Sequence, residues 1–176
     1  MDPVVDLTLR AALALLLLVA AAHKLRDLPA FRATLADYRL LPDAIVPAAA
    51  GLVVGVELAI GTALLALPRP GLAAVAVLLA GYALAIAINL ARGRHHIDCG
   101  CAGPAARQPI SGRLVARNLL LATTALAGLA PVQARPLVWV DALTVVGTTG
   151  VLAALYATLD RMLADAPALA RVRGIA

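Results

Sequence analysis

Aromatic side chains are nearly missing from this 176-residue chain: they make up 3% of it, with a single Trp and a single Phe. A nucleic-acid surface that alternates basic groups with stacking rings is therefore excluded, although the net charge is +5. Cysteine is equally scarce, at two residues, so there is no second thiol pair from which to build a relay. Low-complexity linkers and internal repeats are also lacking, and one domain over 1–176 is expected. The N-terminus lacks the basic cluster of a cleavable signal, carrying Asp2 and Asp6 instead, so the first apolar run reads as a retained helix.

What is abundant is small and aliphatic. Hydrophobic residues are 62% of the chain and its mean hydropathy is +0.93, well above the roughly 45–50% apolar content of soluble domains. No charge interrupts residues 71–91, and a run of about 20 apolar residues is what an α-helix needs to cross a bilayer. Comparable runs lie at 5–22, 45–67, 114–130 and 137–159. The expected fold is thus all-α, a polytopic membrane helix bundle of about five transmembrane helices. The fourth run is the shortest and has Arg117 and Asn118 near its start.

The connections differ in character. Residues 23–43 carry Leu28, Phe31, Leu35 and Tyr38 near helical spacing, which predicts an interfacial amphipathic helix after the first span. Pro68–Pro70 and Pro131–Pro136 read as turns that stop one helix and start the next. The tail after Leu159 is polar enough to lie on the surface. Lys24, Arg26, Arg32, Arg39, Arg92, Arg94, Arg107, Arg113, Arg117, Arg161, Arg171 and Arg173 share one face, against Arg10, Arg69 and Arg135 on the other. The positive-inside rule makes the basic face cytoplasmic and the N-terminus external.

Both cysteines and two of the three histidines fall in one stretch, "RGRHHIDCGCAGP", from Arg92 to Pro104. Arg92 and Gly93 suit a helix C-terminus, and Ser111 suits the N-cap of the next helix. A disulfide between Cys99 and Cys101 would close a small, strained and reducible ring. A thiolate there is favoured by Arg92, Arg94, His95 and His96 and opposed by Asp98. This is the thiol-disulfide redox reading, and it leans toward an oxidoreductase. His95, His96, Asp98, Cys99 and Cys101 also supply ligands for zinc or copper, though in no standard zinc spacing. That alternative is a metal-binding or assembly subunit acting without thiol exchange. The plain structural reading is two small apolar cysteines beside interfacial cations.

The run "NLARGRHHIDCGCAG" followed by "ISGRLVARN", with "HKLRDLPAFRATLADYRLLP" before it and a glutamate in the next span, resembles the methylamine-utilisation MauE family of DoxX-like membrane proteins. The resemblance covers about residues 23–121. It implies a multi-pass protein of the bacterial inner (cytoplasmic) membrane that supports maturation of the disulfide-rich small subunit of methylamine dehydrogenase. It further implies a thioredoxin-like, MauD-like redox partner and a disulfide-containing client. Cys99 and Cys101 would be the redox pair, with Asp98, Gly100 and Gly103 as motif neighbours. Such disulfides form outside the cytoplasm whereas the charge pattern puts the loop inside, so electrons would have to cross, or pass to a quinone in the bilayer.

Polar residues inside the spans are the remaining candidates. Glu57 lies mid-way along the second run, where an ionisable group is costly enough to face the bundle interior. It reads either as a proton carrier or as a protonated carboxyl bonded to a neighbouring helix. His23, Lys24, Asn89, Arg117 and Asn118 are placed to line one pocket beside the cysteines, or, for the cations, to snorkel to headgroups. Gly51, Gly55 and Gly61 fall on a related stripe, and "GLVVG", Gly51 to Gly55, matches a close-packing pattern.

Overall fold

A computed structural model describes the backbone of residues 1–100 and 108–172 and the side chains of 1–100 and 108–162. The chain is all-helical in its long elements: α1 (Pro3–Arg26), α2 (Leu28–Asp37), α3 (Val46–Ala66), α4 (Pro68–Ala91), α5 (Gly112–Ala127) and α6 (Trp139–Val172).

Local chemistry sets most of the boundaries. Asp2 caps α1 by accepting the Val4 N–H at 2.7 Å, with Pro3 in the first turn. Asp27 ends α1 and caps α2, accepting from the Ala30 N–H at 3.0 Å. Leu67 alone links α3 to α4, which opens on Pro68. That junction is tight enough that a Cβ on Gly71 would stand 3.0 Å from the Leu64 Cα. Gly93 terminates α4 at φ 75°, and the Arg94 N–H returns to the Asn89 carbonyl at 3.0 Å. This is the left-handed cap that the sequence predicts. Ser111 sits at the N-cap of α5 in an extended conformation, but its hydroxyl makes no capping bond; its carbonyl accepts from Leu114 at 3.0 Å instead.

The bundle is inside-out. Leu52, Val77, Leu84 and Val146 are each more than 60% exposed, while Lys24, Glu57 and Asn89 are at 4% or less. In water such an arrangement would expose apolar surface and bury charge at once; in lipid it does neither harm. Among the described residues four helices are long and apolar enough to cross a membrane: Pro3–Arg26, Asp43–Ala66, Pro68–Ala91 and Trp139–Met162. The fold is therefore a polytopic membrane bundle, with four such helices where five are expected. The exception is α5, whose 16 residues rise roughly 24 Å at 1.5 Å each, short of a hydrocarbon core about 30 Å thick.

Packing runs α1 on α3 and α6, α3 on α4, and α4 on α5. Leu13, Leu17, Leu64, Leu72, Val75 and Leu79 form the main core. Among the described residues the close-packing pattern at Gly51 and Gly55 makes no contact, since a Cβ at either would meet none of them within 4 Å. Gly61 makes the close approach instead, with Leu18 of α1 3.0 Å from its would-be Cβ. The helix α2 exists but is shorter than the expected segment, because His23–Arg26 continue α1. The backbone of α6 stays helical to Val172, past the Leu159 boundary expected from composition.

Candidate functional site

The stripe Leu17, Ala21, Lys24 on α1 faces the stripe Val54, Glu57, Gly61 on α3, and all of these are buried. Helical spacing thus carries one cation and one carboxylate inward on neighbouring helices. The Lys24 ammonium meets Glu57 Oε1 at 2.7 Å and Oε2 at 2.9 Å. Their side chains are 3% and 1% exposed. Tyr82 of α4 donates its hydroxyl to Glu57 Oε1 at 2.8 Å. The ammonium also lies 5.4 Å from the Phe31 ring centroid and 5.9 Å from that of Tyr82. Four elements, α1 to α4, therefore converge on one buried charge pair. Glu57 is thus bonded to two neighbouring helices, through the Lys24 ammonium and the Tyr82 hydroxyl.

Lys24, with Glu57 fully buried behind it, lines a vestibule of about 480 Å³ together with His23, Asp27, Phe31, Thr34, Asp37, His96 and Asp98, among others. A smaller apolar pocket of about 90 Å³ shares Lys24, Phe31 and Thr34 and continues to Tyr38, Tyr82, Ile86 and Cys99. The vestibule faces one end of the bundle. Toward the other end α1 buries Leu13, Ala14, Leu17 and Ala21, and its next charges are the half-buried Arg10 and the buried Asp6, paired at 2.9 Å. At about 1.5 Å per residue, Arg10 is roughly 21 Å from Lys24 along the helix, with that apolar stripe between. The site is one-sided.

The loop after α4 is pinned rather than loose. Residues Asp98 and Pro109 pair as an antiparallel bridge; Cys99 N–H donates to the Gln108 carbonyl at 2.8 Å and Ile110 N–H to that of Ile97 at 2.9 Å. Asp98 Oδ1 accepts from the Gly100 N–H at 3.1 Å and the Gln108 N–H at 3.4 Å. Gly100, at φ 74°, lies against α2, where its would-be Cβ is 3.1 Å from Thr34 Cγ2. Outside, Arg92 and Arg94 donate to the carbonyls of Arg39 and Asp37, both at 3.4 Å. These arginines clamp the end of α2 to the loop.

This geometry corrects the chemistry expected of the Cys-Gly-Cys segment. Cys99 is 8% exposed and packed with Tyr38, Ile86, Ile97, Ile110 and Leu114. A cysteine in such surroundings is held as a core side chain. Cys101 and Gly103 lie outside the described residues, so no disulfide-forming pair is present among the described ones. The metal alternative fails too: among the described residues no group of three or more His, Cys, Asp or Glu is arranged to hold an ion. His95 and His96 are exposed, and of the two only His96 lines the vestibule.

The other expected residues divide. His23 and Lys24 do line the vestibule with His96 and Asp98. Asn89 and Asn118 are buried elsewhere, each donating to the carbonyl one turn back, Ala85 at 3.1 Å and Leu114 at 2.8 Å. Arg117 pairs with Asp160 of α6, stacks 5.5 Å from the Tyr156 ring, and shares Asp160 with the Gln108 amide at 3.3 Å. That is a clamp between α5, α6 and the loop. Sequence reasoning missed Tyr82 and Asp160 and left Lys24 without its partner, although the inward stripe of α1 passes through Lys24.

The family model described as methylamine utilisation protein MauE matches residues 2–131. A methylamine utilization protein MauE of Paracoccus denitrificans is 40% identical over 160 residues, covering 90% of this chain and 84% of its own. The protein of the same name from Paracoccus versutus is 39% identical over 181 residues, covering 98% of this chain and 96% of its own. That of Methylophilus methylotrophus is 35% identical over 169 residues, covering 92% and 87%. No solved structure matches the chain.

Proposed function

Because the chain belongs to the MauE family, we propose that it serves methylamine utilisation, as the names of its relatives state, from within a bacterial cytoplasmic membrane, and that its working site is the vestibule lined by Lys24, which Glu57 and Tyr82 back. It acts there as a docking component, receiving a polar segment of a partner protein at the membrane surface. The resemblance to the family supplies the partners, a thioredoxin-like protein and a disulfide-containing client. In this reading α5 makes a fifth, shallow crossing, α2 lies in the interface, and the basic vestibule end faces the cytoplasm.

One observation carries the proposal. A buried ion pair contributes little net stability and is costly to desolvate, yet here one joins α1 to α3, and its Lys24 lines a polar vestibule. Charge kept at membrane depth and reachable from one side is the usual mark of a working site. Its position explains why the loop after α4 is pinned against α2: together they wall the vestibule.

The test is complementation. A Paracoccus denitrificans strain lacking its own MauE is given this chain, and growth on methylamine as carbon source is followed. Restored growth is expected. Absence of growth, with the chain inserted in the membrane at normal levels, would overturn the assignment.

A further inference from the structure

We propose that the vestibule and the cage of Phe31, Glu57 and Tyr82 that surrounds the Lys24 ammonium on its wall form a binding site for a primary ammonium group, a site held in this structure by the protein's own Lys24. The inference rests on the reading of the vestibule as the working site and names the chemistry that it receives.

Charge comes first. The chain carries +5 overall, but the vestibule runs against that sign: its lining includes Asp27, Asp37 and Asp98, and the single Lys or Arg among its lining residues is Lys24, which Glu57 neutralises. Asp27 and Asp98 accept backbone N–H groups at 3.0 and 3.1 Å. A concave cavity lined by carboxylates concentrates cations.

The cage then selects among cations. A carboxylate presenting both oxygens at 2.7 and 2.9 Å, with two rings 5.4 and 5.9 Å from the nitrogen, matches a compact –NH3⁺ with its three donors. The rings stabilise it through their negative faces, and the Tyr82 hydroxyl, bonded to Glu57 Oε1, fixes the carboxylate plane. Lys24 is thus a resident ammonium on a flexible tether.

Exchange is balanced in charge. If an incoming ammonium takes the cage, Glu57 keeps a cationic partner, and Lys24 rotates into a vestibule that offers Asp27 one turn away on its own helix end. No buried charge is left uncompensated, which is the costly outcome in such exchanges. A volume of about 480 Å³ admits either a small free alkylammonium or the end of a lysine from a docked partner. Both carry the same head group.

The experiment uses the full chain in lipid nanodiscs, at constant ionic strength, with two probes: ¹³C-methylammonium, and the tripeptide N-acetyl-Gly-Lys-Gly-amide. Binding is followed by NMR line broadening and by calorimetry. Saturable binding is expected in the wild type, weakened about 10-fold or more in Glu57→Gln, a loss of about 1.4 kcal/mol, and strengthened in Lys24→Ala, where the resident cation is gone. A preference for methylammonium identifies a free amine, and a preference for the peptide identifies a partner lysine. Should Lys24→Ala not insert, the comparison of wild type with Glu57→Gln decides alone. Equal binding by those two, or none by either, overturns the proposal. If neither probe binds while loss of the ion pair abolishes growth on methylamine, the ammonium inference falls and the working-site reading stands.

Discussion

Lys24 of α1 and Glu57 of α3 hold each other at 2.7 and 2.9 Å with side chains 3% and 1% exposed. The two residues are far apart in sequence, and the bond fixes the register of two helices whose facing surfaces are otherwise small and apolar.

Removing one member strands the other. Lys24→Ala or Glu57→Ala should destabilise the bundle by about 3–5 kcal/mol, because an unpaired charge is left in a dry core. The paired change Lys24→Met with Glu57→Gln removes both charges while nearly preserving volume, and should recover most of that loss. Unfolding in graded SDS, followed by circular dichroism, measures all three. A double variant as unstable as the singles would show that the pair is not an isolated electrostatic unit.

Cys99 should behave as a core residue. In a Cys101→Ala background, a polar maleimide should label native protein at least about 10-fold more slowly than SDS-unfolded protein, since only an accessible thiolate reacts quickly. Equal rates would contradict the burial of Cys99 among Tyr38, Ile86 and Leu114.

At the other end of the bundle, Arg135 ties the N-terminus to the start of α6 by bonding Asp2 and Asp141 at 2.9 and 2.8 Å. The Asp2 carboxyl is held below its ordinary value, first by the Arg135 hydrogen bond and then by that of the Val4 N–H. A carboxyl with a lowered value contributes fully above its unfolded pKa and loses that contribution as pH falls through the folded one. The hydrogen-exchange protection of Val4, corrected for intrinsic rate, should therefore hold at neutral pH and decline as pH drops below 3.8. Asp2→Asn should remove the pH dependence. A decline centred above pH 5 would contradict this assignment of the titrating group.

Much of the fold was legible in sequence because a membrane helix announces itself locally. Apolar length marked α1, α3, α4 and α6, Pro68 and Gly93 marked a start and a stop, and Glu57 stood out as an ion at depth. What sequence did not supply was pairing across helices: Lys24 with Glu57 and Tyr82, and Arg117 with Asp160. Those partners meet only through packing. The loop misled for a related reason, since reactive residue types side by side in sequence, His96, Asp98 and Cys99, are sorted by the fold into different surroundings. Cys99 turns into an apolar cluster while Asp98 and His96 face the vestibule. Glycine spacing was equally silent about direction. It marked Gly51, Gly55 and Gly61 as one stripe, and of the three Gly61 makes the close contact among the described residues.

The central claim is that Lys24 and Glu57 are kept for work rather than for stability, and the variant Lys24→Met with Glu57→Gln separates the two. Expressed in the Paracoccus denitrificans strain lacking MauE, it should insert and resist SDS much as the unaltered chain does, yet fail to support growth on methylamine. Growth at the rate of the unaltered chain would contradict the claim and reduce the pair to a structural contact.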